Sequence, residues 1–364
     1  MTIIIFIIVL AALVFVHELG HFLAAKWSGI RVDEFGLGFP PKIWSTKRGE
    51  TTYSLNAIPF GGFVKIFGEN PDDESIGGPD KERSFFNKPK RIQALVLVAG
   101  VTFNILFAWL LLSLGFIVGM PVPEGYSGST QVQNAELTVT AISAGSPAEK
   151  AGLEAGDKLI SLQSGTEKAE QLNPEKVQSF VGNKQDKPVI VTYQRGEETK
   201  TVEVIPLAGI VSDRAAIGVG LEQLGTLRLP IHKAFYEGAK MTWYLVKATA
   251  VGLSQFLFQA ITGRANFADV TGPIGIAGMV GDATRLGIVY LLSFTAFISI
   301  NLAVINLIPF PALDGGRLLF VLIEKIKGSP ISPKFANVFN AVGFALLLLL
   351  MLAVTFQDII KLIK

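Results

Sequence analysis

The chain has 364 residues, of which 50% are hydrophobic and 17% are charged, and its formal net charge is +2. Globular chains carry about 25% charged residues, so this composition indicates a membrane protein. The small net charge and the lack of a basic cluster argue against nucleic acid as a partner. Cysteine is absent, which excludes disulfides, cysteine nucleophiles and cysteine-ligated metal, so any metal site must use His, Asp or Glu.

The first predicted transmembrane helix, residues 1–25, contains a His-Glu-x-x-His motif at His17, Glu18 and His21. A cleaved signal peptide is the alternative, but the segment lacks a basic start and the motif occupies the cleavage region. Histidines at this spacing share one helical face and can bind one zinc ion. Glu18 points about 100° away from His17, where it can act as a base towards water. Ionisable residues are costly inside a span, which favours a metal site over an ordinary surface helix.

Residues 26–91 are predicted to form a cytoplasmic loop with a β hairpin. The runs 51–55 and 63–66 have the composition of short strands and are separated by Pro59 and a glycine pair. An edge strand there can pair with an extended peptide, and an ordinary surface hairpin is the alternative. The acidic stretch 68–82, rich in Gly and Pro, is interpreted as a mobile loop without assigned chemistry.

The second predicted span covers residues 92–120, and the distribution of Lys and Arg sets the orientation. Basic residues flank the 26–91 loop, whereas none lies between Arg91 and Lys150. By the positive-inside rule the loop is cytoplasmic, and the amino terminus and residues 121–285 lie outside. Two lysines in the tail, which this topology also places outside, disagree weakly with it.

Residues 121–208 are predicted to form an extracytoplasmic α+β domain. Alternation predicts a strand at 137–142, capping predicts a helix after Asn173, and turn chemistry predicts a hairpin around Gly196. The core signature of PDZ domains resembles three runs of this segment, Gly145-Ser146-Pro147-Ala148, Ala151-Gly152-Leu153 and Gly156-Asp157. PDZ domains bind extended peptides by strand addition, so a peptide ligand is expected. A domain that only spaces or occludes the membrane site is the alternative.

Residues 209–285 are predicted to remain outside and to contain an amphipathic helix at 231–261. Lys233 and Lys240 lie in the first half of this helix, whereas residues 248–262 are uncharged. The charges favour a helix that lies at the outer membrane surface, and a fifth span is the alternative.

The third predicted span, residues 286–316, ends in Asp314 after a long uncharged run. Catalytic zinc needs a third protein ligand and an open position. His232 is one candidate, but the predicted topology places it outside, so Asp314 is the better one. Pro309 and Pro311 prevent a regular helix before Asp314, and irregular backbone at membrane depth lines a wet cavity, as hydrolysis requires. An acid at a helix end, near an arginine, is the alternative for Asp314.

A cytoplasmic loop at 317–334 and a fourth span at 335–357 complete the predicted topology. The predicted fold is a polytopic α-helical membrane protein with about four transmembrane helices, one inserted α+β PDZ domain and a membrane-associated β element. The order of motifs resembles the site-2 protease family of intramembrane zinc metalloproteases, and best the bacterial regulator-of-sigma-E protease branch. The resemblance covers nearly the whole chain and is carried by the His-Glu-x-x-His motif, the PDZ insert and Asn306-x-x-Pro309-x-Pro311-x-Leu313-Asp314-Gly315.

The resemblance implies zinc as the cofactor, with His17, His21 and Asp314 as ligands and Glu18 as the catalytic base. It further implies three groups of supporting residues: Asn306, Pro309 and Pro311, which hold the substrate strand; Gly61, Gly62 and Phe63 in the β element, which pairs with the substrate; and Asn104, which supports the active site. Two features depart from the family pattern. Val101 stands where proline usually follows Gly100, and one PDZ domain is present where better-known relatives have two.

The expected activity is cleavage of single-span membrane proteins within their transmembrane segments. Such cleavage serves regulated proteolysis of anti-sigma factors or clearance of remnant signal peptides. The expected location is the bacterial cytoplasmic (inner) membrane, with the lipid bilayer as the surrounding partner. The alternative from another class is a non-proteolytic PDZ-containing membrane adaptor, which would need neither Glu18 nor Asp314.

Overall fold

The computed structural model describes residues 2–126, 132–143, 145–211, 214–264 and 270–363. Within these residues the helices are α1 Thr2–Trp27, α2 Asp73–Gly77, α3 Lys90–Val118, α4 Pro147–Lys150, α5 Pro174–Gly182, α6 Ile231–Ile261, α7 Pro273–Leu286, α8 Ile288–Asn306, α9 Asp314–Lys327 and α10 Pro333–Ile363. The strands are β1 Val32–Arg48, β2 Thr51–Ile66, β3 Met120–Pro123, β4 Gln133–Ile142, β5 Lys158–Ser164, β6 Glu167–Glu170, β7 Val189–Arg195, β8 Glu198–Val204, β9 Leu207–Val211, β10 Arg214–Ala216 and β11 Val219–Leu227. The chain forms two compact units, Met1–Leu114 with His232–Lys364, and Gly115–Ile231.

Four helices in the described part of the chain are long and apolar enough to cross a membrane, namely α1, α3, α8 and α10. They coincide with the four predicted spans, so the prediction of a membrane protein with four such helices is confirmed. The third span is shorter than the predicted 286–316, because α8 ends at Asn306 and Asp314 begins the separate helix α9. The break between them contains Pro309 and Pro311, which cannot continue a helix.

Helix α1 contacts α3 where Gly20 of α1 meets Ala99 and Gly100 of α3. A Cβ at Gly20 would lie 2.5 Å from the backbone oxygen of Ala99, so the two backbones touch there. Small residues permit this approach between membrane helices. On another side of α1, Val9 and Leu13 are buried in one cluster with Val280 of α7. The turn of α1 that carries the histidines is therefore held against α3.

Strands β1 and β2 form an antiparallel hairpin that bends back on itself. Residues 34–37 of β1 pair with 62–65 on one side and with 52–55 on the other, and 52–55 also pair with 44–47. The hairpin thus forms four short rows with two edges, and 62–66 is one edge. The predicted runs 51–55 and 63–66 are the two halves of the single strand β2, and their partner β1 was not predicted.

The stretch 68–82, predicted to be a mobile loop, instead contains α2 and the start of a 3₁₀ turn at Lys81–Arg83. Asp72 accepts a hydrogen bond from the Ser75 backbone N–H, and the Ser75 hydroxyl accepts one from the Asp72 N–H. This reciprocal cap starts α2. Arg31 binds Asp80 at 2.7 Å and so ties the stretch to the start of β1. Polar side chains thus order a segment whose Gly and Pro content suggested a loop.

The unit Gly115–Ile231 contains an antiparallel sheet in the order β3-β11-β4-β5-β7-β8, with β6 paired to β5. The predicted strand, helix and hairpin are all present as β4, α5 and β7-β8, and the Asn173 side chain caps α5 by accepting from Lys176 N–H at 2.7 Å. Leu162, Val139 and Val189 lie in its fully buried core. The unit extends past the predicted boundary at 208, because β11 pairs with both β3 and β4.

Helix α6 has the predicted bounds, and its first half contacts α3. The Trp109 indole N–H donates to the backbone oxygen of Phe235 at 2.8 Å, and a Cβ at Gly238 would lie 3.1 Å from the Cα of Ser113. Farther along, α6 borders α8 across an apolar cavity of about 400 Å³, which is lined by Ala248, Gly252, Phe256, Phe297 and Ile305 among others. The location of this helix at the outer membrane surface stays a prediction.

Candidate metal centre

Three side chains converge between α1 and the start of α9. The Nε2 atoms of His17 and His21 are 3.2 Å apart, and Asp314 Oδ2 lies 3.2 Å from the first and 3.3 Å from the second. Both histidines are more than 90% buried. Within the described residues, these three form the one His/Asp/Glu group whose ligand atoms lie close enough to share a metal ion.

The triangle of ligand atoms fits a tetrahedral zinc ion. Zinc–nitrogen and zinc–oxygen bonds of about 2.0–2.1 Å at tetrahedral angles separate neighbouring ligand atoms by about 3.3 Å. The three observed separations of 3.2, 3.2 and 3.3 Å match one face of such a tetrahedron. Asp314 Oδ2 is also buried without a hydrogen-bond partner, which is costly for a structural residue and expected of a metal ligand.

Each imidazole is oriented through its other nitrogen. His21 Nδ1–H donates to the backbone oxygen of Val96 at 2.8 Å, which leaves Nε2 as the free lone pair. The buried side-chain amide of Asn104 lies 3.2 Å from His17 Nδ1, and its Oδ1 has no other partner. Because His17 Nε2 faces Asp314, Nδ1 carries the proton, and a half-turn of the amide directs Oδ1 to accept it. A hydrogen bond from the Ser299 hydroxyl to the Asn104 backbone oxygen at 2.8 Å joins α3 to α8 at this level.

Both imidazoles pack directly on Gly100 of α3. A Cβ at this position would lie 2.8 Å from the Cε1 of His17 and 2.8 Å from the Cε1 of His21. No side chain therefore fits at Gly100 while the histidines keep their positions. The sequence marked Gly100 only as part of a family pattern, and the contact gives the physical reason for glycine there.

The turn that presents Asp314 rests on carbonyl groups and on α10. A Cβ at Gly316 would lie 2.8 Å from the backbone carbon of Phe310, so only glycine allows α9 to start so close to the broken segment. Ala312 has a positive φ of 68°, a strained conformation for a residue with a side chain. Its N–H donates to Asn340 Oδ1 of α10 at 3.3 Å. These contacts hold the backbone conformation that places Asp314 opposite the histidines.

The β2 edge runs beside Glu18. A Cβ at Gly62 would lie 3.6 Å from the Cγ of Glu18 and 3.4 Å from the Cγ1 of Val14, so the strand backbone lies directly on α1. Gly61 has a φ of 119°, open only to glycine, and Phe63 covers Gly36 across the sheet. The glycines predicted to belong to a β element are thus located at its edge, next to the candidate base.

The structure therefore brings together His17, His21 and Asp314, with Asn104 behind the first. Asn306 is the last residue of α8, and the two predicted prolines follow in the irregular segment. His232 lies exposed on α6, outside the metal group. Sequence reasoning missed several supporting residues: Gly20, Ser299, Ala312, Asn340, and Gly343, where an added Cβ would lie 2.9 Å from the Cα of Pro311. Four of them are small or polar residues inside apolar helices, which is the signal that could have identified them.

A family model described as peptidase family M50 matches residues 5–350. A protein of Clostridium perfringens, provisionally named a zinc metalloprotease, is 36% identical over 361 residues, 99% of either chain. The zinc metalloprotease RasP of Geobacillus kaustophilus is 30% identical over 434 residues, 99% of this chain and 98% of the relative. The regulator of sigma-W protease RasP of Bacillus subtilis is 31% identical over 443 residues, 99% of either chain. These matches include every residue of the metal centre, and the chain belongs to peptidase family M50.

Proposed function

We propose that His17, His21 and Asp314 hold the zinc ion of this enzyme and that Glu18 is its catalytic base. The enzyme is an intramembrane zinc metalloprotease of the site-2 protease type, as its family and named relatives indicate. The observation that carries the residue assignment is the triangle of ligand atoms with sides of 3.2, 3.2 and 3.3 Å between α1 and α9. A membrane adaptor would have no use for a carboxylate oxygen held within 3.3 Å of two buried histidine nitrogens.

The residues around the site divide the chemistry among them. Bound zinc supplies Lewis acidity, which polarises a peptide carbonyl and lowers the pKa of water towards neutrality. The Glu18 carboxylate accepts the proton of the attacking water and delivers it to the leaving amine. Asn104 and the Val96 carbonyl keep the Nδ1 protons of the two imidazoles in place, so that both Nε2 lone pairs face the ion. The irregular backbone between α8 and α9 lines the route by which water reaches the site.

The β2 edge at 62–66 is proposed to bind the substrate in an extended conformation. A peptide bond inside a transmembrane helix has its N–H and C=O groups hydrogen-bonded within the helix, so attack requires local unwinding. An unwound segment needs new partners for those groups, and a free strand edge supplies them. Gly62 brings this edge against Glu18. Asn306, Pro309 and Pro311 would border the segment from the other side, with Gly61 and Phe63 shaping the edge.

The same proposal includes the substrates, the cellular location and the role of the unit Gly115–Ile231. The substrates are single-span membrane proteins, and the location is the bacterial cytoplasmic membrane. The unit Gly115–Ile231 is a PDZ-type domain on the outer side, where it takes a peptide ligand or limits access. One relative is named as a regulator of sigma-W, and regulated cleavage of an anti-sigma factor is the corresponding role here, with clearance of remnant signal peptides as the other.

Replacement of Glu18 by Gln tests the mechanism. Glu18→Gln should retain zinc, because the three ligands are intact, and should cleave a tagged single-span protein at less than about 1% of the wild-type rate in proteoliposomes. Asp314→Asn should instead lose zinc and activity together. Glu82→Gln, the same change at an exposed residue, should match the wild type. Undiminished cleavage by the Glu18 variant would refute the mechanism, and full zinc occupancy in the Asp314 variant would refute the ligand set.

A further inference from the structure

An ion pair joins the two elements that flank the metal centre. The Arg317 guanidinium on α9 pairs with Glu69, and its second nitrogen lies 3.5 Å from Asn70 Oδ1. Arg317 follows Asp314 by three residues, within the first turn of α9. Glu69 follows the β2 edge by three residues, and its N–H donates to the backbone oxygen of Ile66. Both side chains are mostly buried, at 28% and 22% exposed.

Contacts with Phe310 and Asn340 hold the backbone around Asp314, but the first turn of α9, which begins after Leu313, lacks a side-chain cap. A cation in the first turn also opposes the helix dipole, so Arg317 does not stabilise α9 by itself. Its pairing with Glu69 offsets that cost and connects the turn to a segment far away in the chain.

We propose that Arg317 and Glu69 are positioning residues, which fix the Asp314 turn at a set distance from the β2 edge and from Glu18. This inference rests on the proposed function, in which the edge and the Asp314 turn bound the substrate from two sides. The Arg317–Glu69 pair connects the β2 edge to the Asp314 turn at the end where β2 leaves the sheet. It acts through Asp314 and the edge strand, and it touches neither the metal ligand atoms nor the substrate.

A second ion pair on the same helix provides a matched control. Glu324, near the other end of α9, binds Lys90 of α3 at 2.5 Å, and the two side chains are 10% and 27% exposed. The two pairs thus have similar exposure and both anchor α9. They differ in that only the Arg317 pair lies beside Asp314. Loss of either pair should affect stability, but only one should affect the chemical step.

The test compares Arg317→Gln, Glu69→Gln, the charge-exchanged double variant R317E/E69R and the control Lys90→Gln. Cleavage of a tagged single-span protein in proteoliposomes gives kcat and KM, and the visible spectrum of the cobalt-substituted protein reports the ligand geometry. We expect each single variant to lose about tenfold in kcat with KM within about twofold, and to change the cobalt spectrum. The double variant should regain at least half of the loss, and Lys90→Gln should keep kcat and spectrum.

The inference is overturned if both single variants retain wild-type kcat, if the exchanged pair is no more active than the singles, or if Lys90→Gln lowers kcat equally. If a single variant is too unstable to assay, the kcat of the charge-exchanged variant R317E/E69R decides, because it keeps both charges with their positions exchanged. Failure of the proposed function gives a different pattern, because Glu18→Gln would then cleave as well as the wild type. If Glu18→Gln abolishes cleavage as expected but the Arg317 and Glu69 variants keep the wild-type kcat, only this inference is refuted.

Discussion

Gly100→Ala is the substitution whose effect on the metal centre can be worked out most directly. The added methyl carbon would lie 2.8 Å from a ring carbon of each histidine, whereas carbon atoms in contact stand about 3.5–4.0 Å apart. The imidazoles or α3 must therefore move by roughly 1 Å. A displacement of that size at reacting groups costs about 100-fold in rate, or about 2.7 kcal/mol in transition-state stabilisation.

We therefore expect Gly100→Ala to lower kcat/KM by about 100-fold and zinc affinity by roughly 10- to 100-fold, the range seen when ligand orientation is disturbed. Zinc content after dialysis against a graded series of chelator concentrations measures the second effect. Gly278→Ala is the matched control, because it makes the same change on helix α7 where no atom lies within 4 Å of the new methyl group. Wild-type zinc affinity and cleavage in Gly100→Ala would refute the packing argument.

Two further predictions concern regions outside the metal centre. Asp157 is 1% exposed and accepts two hydrogen bonds of 2.7 Å from Arg195. Asp157→Asn should therefore lower the opening free energy of β5 and β7 by roughly 3 kcal/mol. Hydrogen exchange on the intact protein measures this change, and unchanged protection of the two strands would contradict the prediction. The hydrogen bond from Lys26 lowers the pKa of Glu50. This ion pair therefore stabilises the fold above the ordinary carboxyl pKa, and the stabilisation is lost as pH falls through the lowered pKa. The difference in Tm between the wild type and Glu50→Gln should then shrink below about pH 4. A Tm difference that stays constant with pH would disprove the prediction.

The residues of the candidate metal centre could be predicted because helix geometry and burial cost act over short distances. The four-residue spacing of His17 and His21 fixes their common face, and the prolines before Asp314 require the helix to end. The residues that hold these side chains in position could not be predicted in the same way. Gly100 matters because of where α3 crosses α1, and no local pattern gives that crossing.

The β element shows the same limit. Strand β1 contains glycine and proline, and its pairing with β2 on two sides depends on bends that the alternation of side chains does not encode. The end of the unit Gly115–Ile231 lies later than predicted for a related reason. Strand β11 returns to pair with β3 and β4 after the segment had seemed complete at β8. Long-range strand pairing is decided by the whole sheet, so it is the part of a fold that single-sequence reasoning finds last.

The packing of α6 determines how deep that helix lies. Gly281, shortly before α8, contacts Thr2 at the start of α1, so α8 runs with α1 and opposite to α3. The hydrogen bond between Ser299 and Asn104 marks the level of the metal centre on both α8 and α3. Depth along the spans can then be counted from this level at about 1.5 Å per residue.

On that scale Gly238 of α6 lies beside Ser113, about 13 Å to one side of the metal level, and the cavity lined by the later half of α6 reaches Ile305, about 9 Å to the other side. These contacts of α6 therefore extend over roughly 20 Å along the direction of α3 and α8. The cavity between α6 and α8 is lined by Phe297 and Asn301, which lie on either side of Ser299 in the chain and therefore near the level of the candidate metal centre. A helix that the charge pattern predicts at the membrane interface thus lines a cavity at the height of the candidate metal centre.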